Sequence, residues 1–197
     1  MSFWTDATLQ DPKRKFRFTV TLSAYPDSAR WYAKSVTKPR FEIGGTDHKF
    51  LNHTFKYPGS VTWQDVTCTL VDPVSPDAVA NTMAIIQNAG YVVPGGPNIL
   101  TTMSKRKAIA ALGGVTIDQI DDVGNPLETW TLRNAYISGV NLGDLSYGEE
   151  TLSEIALTLK YDWATCETAN VAGNLSTPPV GVQFPFSNSS RFFDPTN

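Results

Sequence analysis

The chain is short of the residues that most enzyme chemistry requires. It carries only two histidines, His48 and His53, and two cysteines, Cys68 and Cys166, in 197 residues. No GxGxxG or GxSxG occurs, and "PGGPN" lacks the Gly-Lys-Ser/Thr that completes a phosphate-cradling loop. With so few histidines and no nucleophile motif, a Ser-His or Cys-His pair has little support. His48 and His53 are an odd number of positions apart in a predicted strand, which sends them to opposite faces and away from a shared metal. The cysteines form no CxxC, and Cys68 occupies an apolar strand position, so a reduced core thiol is expected rather than a disulfide. The sequons at Asn52, Asn174 and Asn188 then read as chance matches. No catalytic residue, metal or cofactor is expected.

Charge is also scarce. Charged residues make up 18% of the chain, the net charge is −3 and the pI is about 5.3. That excludes the basic footprint of a protein that grips nucleic acid phosphates. The clusters Lys13 to Lys15 and Lys105 to Lys107 are too short to change this and read as solvated faces. No apolar run approaches the ~20 residues of a membrane helix. "MSFWTDATLQ" has neither a basic n-region nor an apolar h-region, so no signal peptide is expected. "DQIDDVGN" is acidic, but Ile120 stands where a calcium loop needs an oxygen ligand and Thr129 where it needs a Glu, so it reads as a hairpin turn.

Strand signals are abundant. "KFRFTVTL" places Phe16, Phe18, Val20 and Leu22 on one face, with polar residues between them. "AYPDSAR" is a turn before the short strand "WYAKSV". "HKFLNHTFKY" puts Leu51, Phe55 and Tyr57 on one face, and Pro58-Gly59 is expected to turn the chain into the next strand. There, Val61 and Trp63 are apolar at odd positions and Val66, Cys68 and Leu70 at even ones. A phase switch within one strand implies an inserted residue, so a β-bulge is expected at Gln64-Asp65. Later, Trp130, Leu132 and Tyr136 alternate, as do Ile155, Leu157, Leu159, Tyr161 and Trp163, and core packing is expected of Trp63, Trp130 and Trp163. The opposite face of this last strand, with Glu154 and Thr158, is polar, as antiparallel sheets covered on one side require.

One helix stands out. Ser75 can cap it, Pro76 suits its first turn, Val79, Met83 and Ile86 form a stripe, and Gly90 can end it. A second, weaker helix fits "ILTTMSKRKAIAALGG". The fold class expected is mainly β: a two-sheet antiparallel β-sandwich or barrel with one main α-helix. A domain over 1–163, with the helix and a long insertion at about 76–113, precedes an irregular extension over 164–197. That extension carries Phe184, Phe186, Phe192 and Phe193, which are expected to anchor it.

Two blocks, "WYAKSVTKPRFEI...HKFLNHTFKYPGSVTWQDVTCTLVD" and "WTLRNAYISGVNLGDLSYGEETLSEIALTLKYDW", resemble the tail tube protein family of contractile-tailed bacteriophages. The match rests on the rhythm from Trp63 to Asp72 and from Trp130 through Trp163, over about residues 13–72 and 115–163. The resemblance implies a structural subunit that forms hexameric rings, their sheets joining into one β-barrel tube. It implies stacking of rings into a conduit for DNA ejection, partnered by tail sheath, tape-measure and baseplate proteins. Double-stranded DNA would pass without specific binding, and this chain would not insert in a membrane. The location implied is the virion tail, after assembly in the host cytoplasm. A baseplate tube-initiator or an injection-system inner tube shares the fold and is the alternative.

On this reading the segment Lys38, Pro39, Phe41, Ile43, His48 and Phe50 is an extended hairpin or loop contacting the next subunit or ring, with Gly44-Gly45 supplying its turn. Glu154 and Thr158 are candidates to line the channel. A reading from another class is a ligand-binding β-sandwich that uses aromatics such as Trp31, Tyr32 and Phe192.

Overall fold

The computed structural model describes residues 12–26, 32–92, 95 and 102–169. In chain order the elements are β1 (Phe18–Leu22), β2 (Ala33–Val36), β3 (Phe41–Phe50), β4 (His53–Trp63) and β5 (Val66–Val71). Two helices follow, here α1 (Ala78–Asn88) and α2 (Lys105–Leu112). The chain then forms β6 (Val115–Ile120), β7 (Pro126–Arg133), β8 (Tyr136–Asn141), β9 (Glu154–Lys160) and β10 (Trp163–Thr168).

These strands build two four-stranded antiparallel sheets, ordered β1-β6-β7-β10 and β2-β5-β9-β8, and a separate ribbon of β3 and β4. Alternation drives the layering. Val20, Leu22, Val115, Ile117, Leu132 and Ala164 point from the first sheet into a shared core. Val66, Cys68, Leu70, Ile155, Leu157 and Leu159 meet them from the second. Burying each large aliphatic side chain is worth roughly 1.5–3 kcal/mol, so these two rows carry most of the sandwich's stability. Among the described residues neither sheet closes on itself: β1 and β10 are the edges of one, β2 and β8 of the other.

The outward faces are small and polar. Thr21, Thr116, Thr131 and Thr165 lie side by side in one row across the whole first sheet. On the second sheet, Thr67 pairs with Thr158 and Thr69 with Ala156, while Gly139 and Asn141 continue these rows onto β8.

α1 is capped by Asp77, whose side chain accepts the Ala80 N–H at 2.9 Å. Its buried stripe is Ala78, Thr82 and Ile85, whereas Met83 is exposed. The expected cap Ser75 and the stripe Val79, Met83 and Ile86 are thus each displaced. The helix starts later than the Ser-Pro pair suggests and turns a smaller-residue face inward, where Thr82 satisfies its hydroxyl on Ala78 O and the Tyr25 hydroxyl. Gly90 does end it, at φ 106°, and a Cβ there would stand 2.8 Å from Thr102 O. The weaker helix forms as α2, capped by Ser104. Asp121 accepts from the backbone of Val123 and Asn125 and so builds the β6–β7 turn from the acidic "DQIDDVGN".

Three sequence expectations are corrected by the topology. Gln64-Asp65 is not a bulge within one strand: it is the junction where the chain leaves the ribbon for the second sheet, so the phase switch marks a change of sheet. Pro58-Gly59 is not a turn either, since it lies inside β4. The run through Trp163 is two strands, and Trp163 opens β10 with 48% of its surface exposed rather than packing in the core. Regular structure therefore continues past Ala164, which the sequence reading gave to the irregular extension. Phe16 likewise precedes β1 and is exposed.

Candidate assembly surface

The ribbon of β3 and β4 is the part of the molecule that the core does not explain. Every residue of β3 is exposed, and so is every residue of β4 except Trp63. At ~3.3 Å per residue, ten residues make an arm roughly 30 Å long. Its turn is Leu51-Asn52, with Leu51 at φ 52°. Gly44-Gly45 do not form the turn as expected; they lie inside β3.

The register of the arm divides its apolar residues between its two faces. Phe41 opposes Trp63 and Ile43 opposes Val61, so these four share one face at the root. Between Ile43 and Gly45 the pairing slips, with one residue of β3 facing two of β4, Gly59 and Ser60. Glycine is needed here because a Cβ on Gly59 would meet Gly44 O at 3.2 Å. Beyond this waist, Thr46 opposes Tyr57, His48 opposes Phe55 and Phe50 opposes His53. Those aromatic pairs lie on the face opposite to Phe41 and Ile43, because side chains alternate along β3. The remaining face of the tip carries Asp47, Lys49 and Lys56. His48 and His53 thus share a face, contrary to the sequence expectation, because the turn between them folds one strand back on the other. No group of three His, Cys, Asp or Glu suited to a metal occurs among the described residues.

Among the described residues the arm is held at its root. Trp63 touches Phe41 at 5.0 Å between ring centroids and Tyr161 at 5.8 Å. The Tyr161 hydroxyl donates to Gln64 O at 2.8 Å. Just before β3, Pro39 is buried, and Lys38 Nζ donates to Gln119 Oε1 at 2.5 Å and to Glu128 Oε1 at 2.8 Å. Lys13 holds the other carboxylate oxygen of Glu128 at 2.7 Å, and Trp130 Nε1 also donates to Glu128. Burial opposes ionisation of Glu128, but the hydrogen bonds from Lys13, Lys38 and Trp130 outweigh it and lower its pKa to about 2. Lys38 and Pro39 therefore fasten the arm to its own body.

Two concave surfaces adjoin these features. A groove of about 550 Å³ lies between the arm root (Phe41, Val61, Trp63) and the start of β10 (Trp163, Ala164, Thr165), with Arg133 at its side. A cleft of about 780 Å³ opens between β1 and β2, lined by Phe18, Val36, Ile117, Lys15 and Lys34 among others. Tyr32 lines a crevice of about 10 Å³ beside Tyr25. Trp31 and Phe192, like Phe184, Phe186 and Phe193, lie outside the described residues.

Glu154 and Thr158 stand on the outward face of β9, where Glu154 is ion-paired to Lys34 of β2. Lys105 binds Asp162 at 2.7 Å, so each basic cluster has a lysine engaged in an ion pair. Burial pushes the Cys68 thiol up to about 12, and Cys68 and Cys166 sit buried in different sheets. No helix among the described residues is long and apolar enough to cross a membrane.

The architecture, mostly antiparallel β with two helices and open sheets among the described residues, is shared with solved chains of several larger assemblies. A baseplate chain of the anti-feeding prophage superposes with a TM-score of 0.58 at 12% identity, over 82% of this chain and 99% of that one. A chain of the same particle's tube-terminating cap gives 0.55 at 18% identity, over 85% and 98%. A chain of the sheath-tube complex of the extracellular contractile injection system PVC gives 0.58 at 17%, over 80% and 92%. At these identities the fold alone is shared. No family model and no curated protein sequence matches the chain.

Proposed function

We propose that this chain is a structural, non-catalytic subunit of the inner tube of a contractile tail, assembling with copies of itself into stacked hexameric rings. The single observation that carries the reading is the coexistence of two open sheets with an arm that, among the described residues, packs only at its root. Free edges invite strand addition, and a ring of copies is the arrangement that leaves none unpaired. The second sheet is the better wall for a channel. Its outward rows, Thr67 with Thr158 and Thr69 with Ala156, are small and uncharged, and its Glu154 is neutralised by Lys34. Such a wall offers passing DNA no row of cations to release its counterions to.

In a phage the tube would carry the genome, work with sheath, tape-measure and baseplate proteins, and belong to the virion tail after assembly in the host cytoplasm. A second reading, an inner tube or cap of an extracellular injection system, is favoured by the origin of the structures this fold resembles.

Negative-stain microscopy of the purified protein tests the function. Tubes of uniform width support a tube subunit, and single rings support the initiator or cap. A monomer at every concentration, or a robust metal- or nucleophile-dependent activity, would overturn the proposal.

A further inference from the structure

Independently of any assembly, we infer that the open mouth of the sandwich between β1 and β2 is a docking site for the chain's own segment 184–194. The argument starts from where the described chain stops. Thr168 of β10 pairs with Glu128 of β7, Glu128 with Gln119 of β6, and Gln119 with Phe18 of β1. These four residues form one row across the first sheet. Side chains alternate along each strand, so the row shares a face with Leu22, Val115, Leu132 and Ala164, which enter the core. It is the rim of the core-facing surface, and its far member, Phe18, lines the cleft of about 780 Å³. At ~4.8 Å per strand spacing, Thr168 stands about 15 Å from Phe18. The chain that continues beyond Ala169 therefore sets out beside the mouth.

The cleft is apolar where it meets the core and basic where it meets solvent. Ile117 is buried in its lining, Phe18, Ala33 and Val36 pack against the core from its walls, and Lys15 and Phe16 are exposed. Its volume falls within the ~300–1,000 Å³ of sites that enclose a ligand, which suits a short run of side chains better than a single ring. The chain after residue 169 supplies such a run in Phe184, Phe186, Phe192 and Phe193. Residues 170–183, extended at ~3.3 Å each, span up to ~46 Å, so the reach exceeds what the geometry asks for. Pro185 biases the residue before it toward extended backbone, in which positions two apart share a face, so Phe184 and Phe186 match one apolar wall. Proline offers no N–H to a ladder and is tolerated beside a sheet edge, and both β1 and β2 are edges. Asp194 follows the second pair of rings and suits the Lys15 ammonium. The segment 1–11 offers Phe3 and Trp4, half as many rings. The occupant of the mouth is therefore segment 184–194 of the same chain.

Cysteine cross-linking in the full chain tests this. Ser35 is exposed and lines the cleft, so Ser35→Cys with Ser187→Cys places one thiol at the mouth and one just past Phe186, while the native thiols stay buried. Treated with a short bis-maleimide in dilute solution, the double variant should close a bridge between positions 35 and 187 within one chain, read by peptide mass. Ser35→Cys with Ser189→Cys should do the same. A long tether alone could produce some bridging, so the aromatic anchors are removed next. Adding Phe184→Ser, Phe186→Ser, Phe192→Ser and Phe193→Ser to the double variant should cut the yield by about tenfold, as docking gives way to the bare effective concentration of the tether. Hydrogen exchange at residues 33–36 and 117–119 should rise in the same serine variant without its cysteines. An unchanged yield and unchanged exchange would overturn the proposal, as would the absence of a bridge from both serine positions. Bridged dimers in place of bridged monomers would assign the mouth to the segment of a second copy. A bridge from Ser35→Cys to Ser2→Cys, lost to neither dilution nor the four serines, would assign it to the segment 1–11. Tube formation is not read in any arm, so the outcome stands apart from the assembly proposal.

Discussion

Lys38 Nζ lies 2.8 Å from Glu128 Oε1, and this contact fastens the chain entering the arm to the centre of the β1-β6-β7-β10 sheet. Glu128 gathers Lys13 and Trp130 on the same carboxylate, so one side chain holds the start of the described chain, the arm root and β7 together.

Glu128→Gln should accordingly destabilise the monomer by about 1–2 kcal/mol, the loss of charge-assisted bonds with partly exposed lysines. Urea unfolding measures the cost, and hydrogen exchange should rise at residues 38–42 ahead of the core. The native carboxylate titrates near 2, below its ordinary value of 4.5. Its stabilisation is then full above about pH 4.5 and is lost as the pH falls from there towards 2. The Gln variant should lack this acid-dependent component, and an identical pH profile in both proteins would refute the assignment.

Phe41→Ser with Ile43→Ser should leave the monomer folded and block tube formation. Both side chains are exposed, at 43% and 59%, and only Phe41 has a ring partner, so melting should shift by the equivalent of less than about 1 kcal/mol. Sedimentation and microscopy read the loss of assembly. Unfolding, or normal tubes, would remove the arm from the assembly contact.

Leu157→Ala makes the opposite separation. Leu157 is fully buried at the centre of the second sheet, and truncation there should cost about 2–5 kcal/mol. Calorimetry of the isolated monomer should show the full loss, and tubes should fail because the subunit fails. A wild-type melting curve would mean that the two sheets do not share the core described.

Thr158→Arg tests the channel wall. The residue lies on an outward face, so the monomer should melt normally, while assembled tubes should gain DNA retention that weakens as salt rises. Wild-type tubes should retain none at moderate ionic strength in a gel shift. Equal retention by both would place this face away from the channel.

Much of the sandwich was legible in the sequence. Val20 and Leu22 in β1, and Ile155, Leu157 and Leu159 in β9, alternate cleanly because one face of each strand is buried and the other wet. The arm was not. In β4, Phe55, Tyr57, Val61 and Trp63 keep odd positions throughout, a pattern that one continuous face would also produce. The slip opposite Gly44 moves the first two to the other side, and only the pairing partner reveals it. The same ambiguity hid the change of sheet at Gln64-Asp65 and between Arg133 and Tyr136, where the chain passes from β7 to β8 through Asn134 in the left-handed region. Phe41 and Ile43 were legible as a pair too small to make a core, whereas the role of Lys38 depended on partners far along the chain, Gln119 and Glu128.

Because among the described residues the arm contributes only Trp63 to the core, its outer residues are released from the demands of folding. On the proposed assembly, a substitution at Phe50, Phe55 or Tyr57 would change which surface the subunit recognises while its own fold is left alone. Compatibility between one copy and the next can therefore drift, or be redesigned, through a handful of positions on one ribbon. On the proposed assembly, two such lineages would keep their assemblies apart without altering a single core side chain.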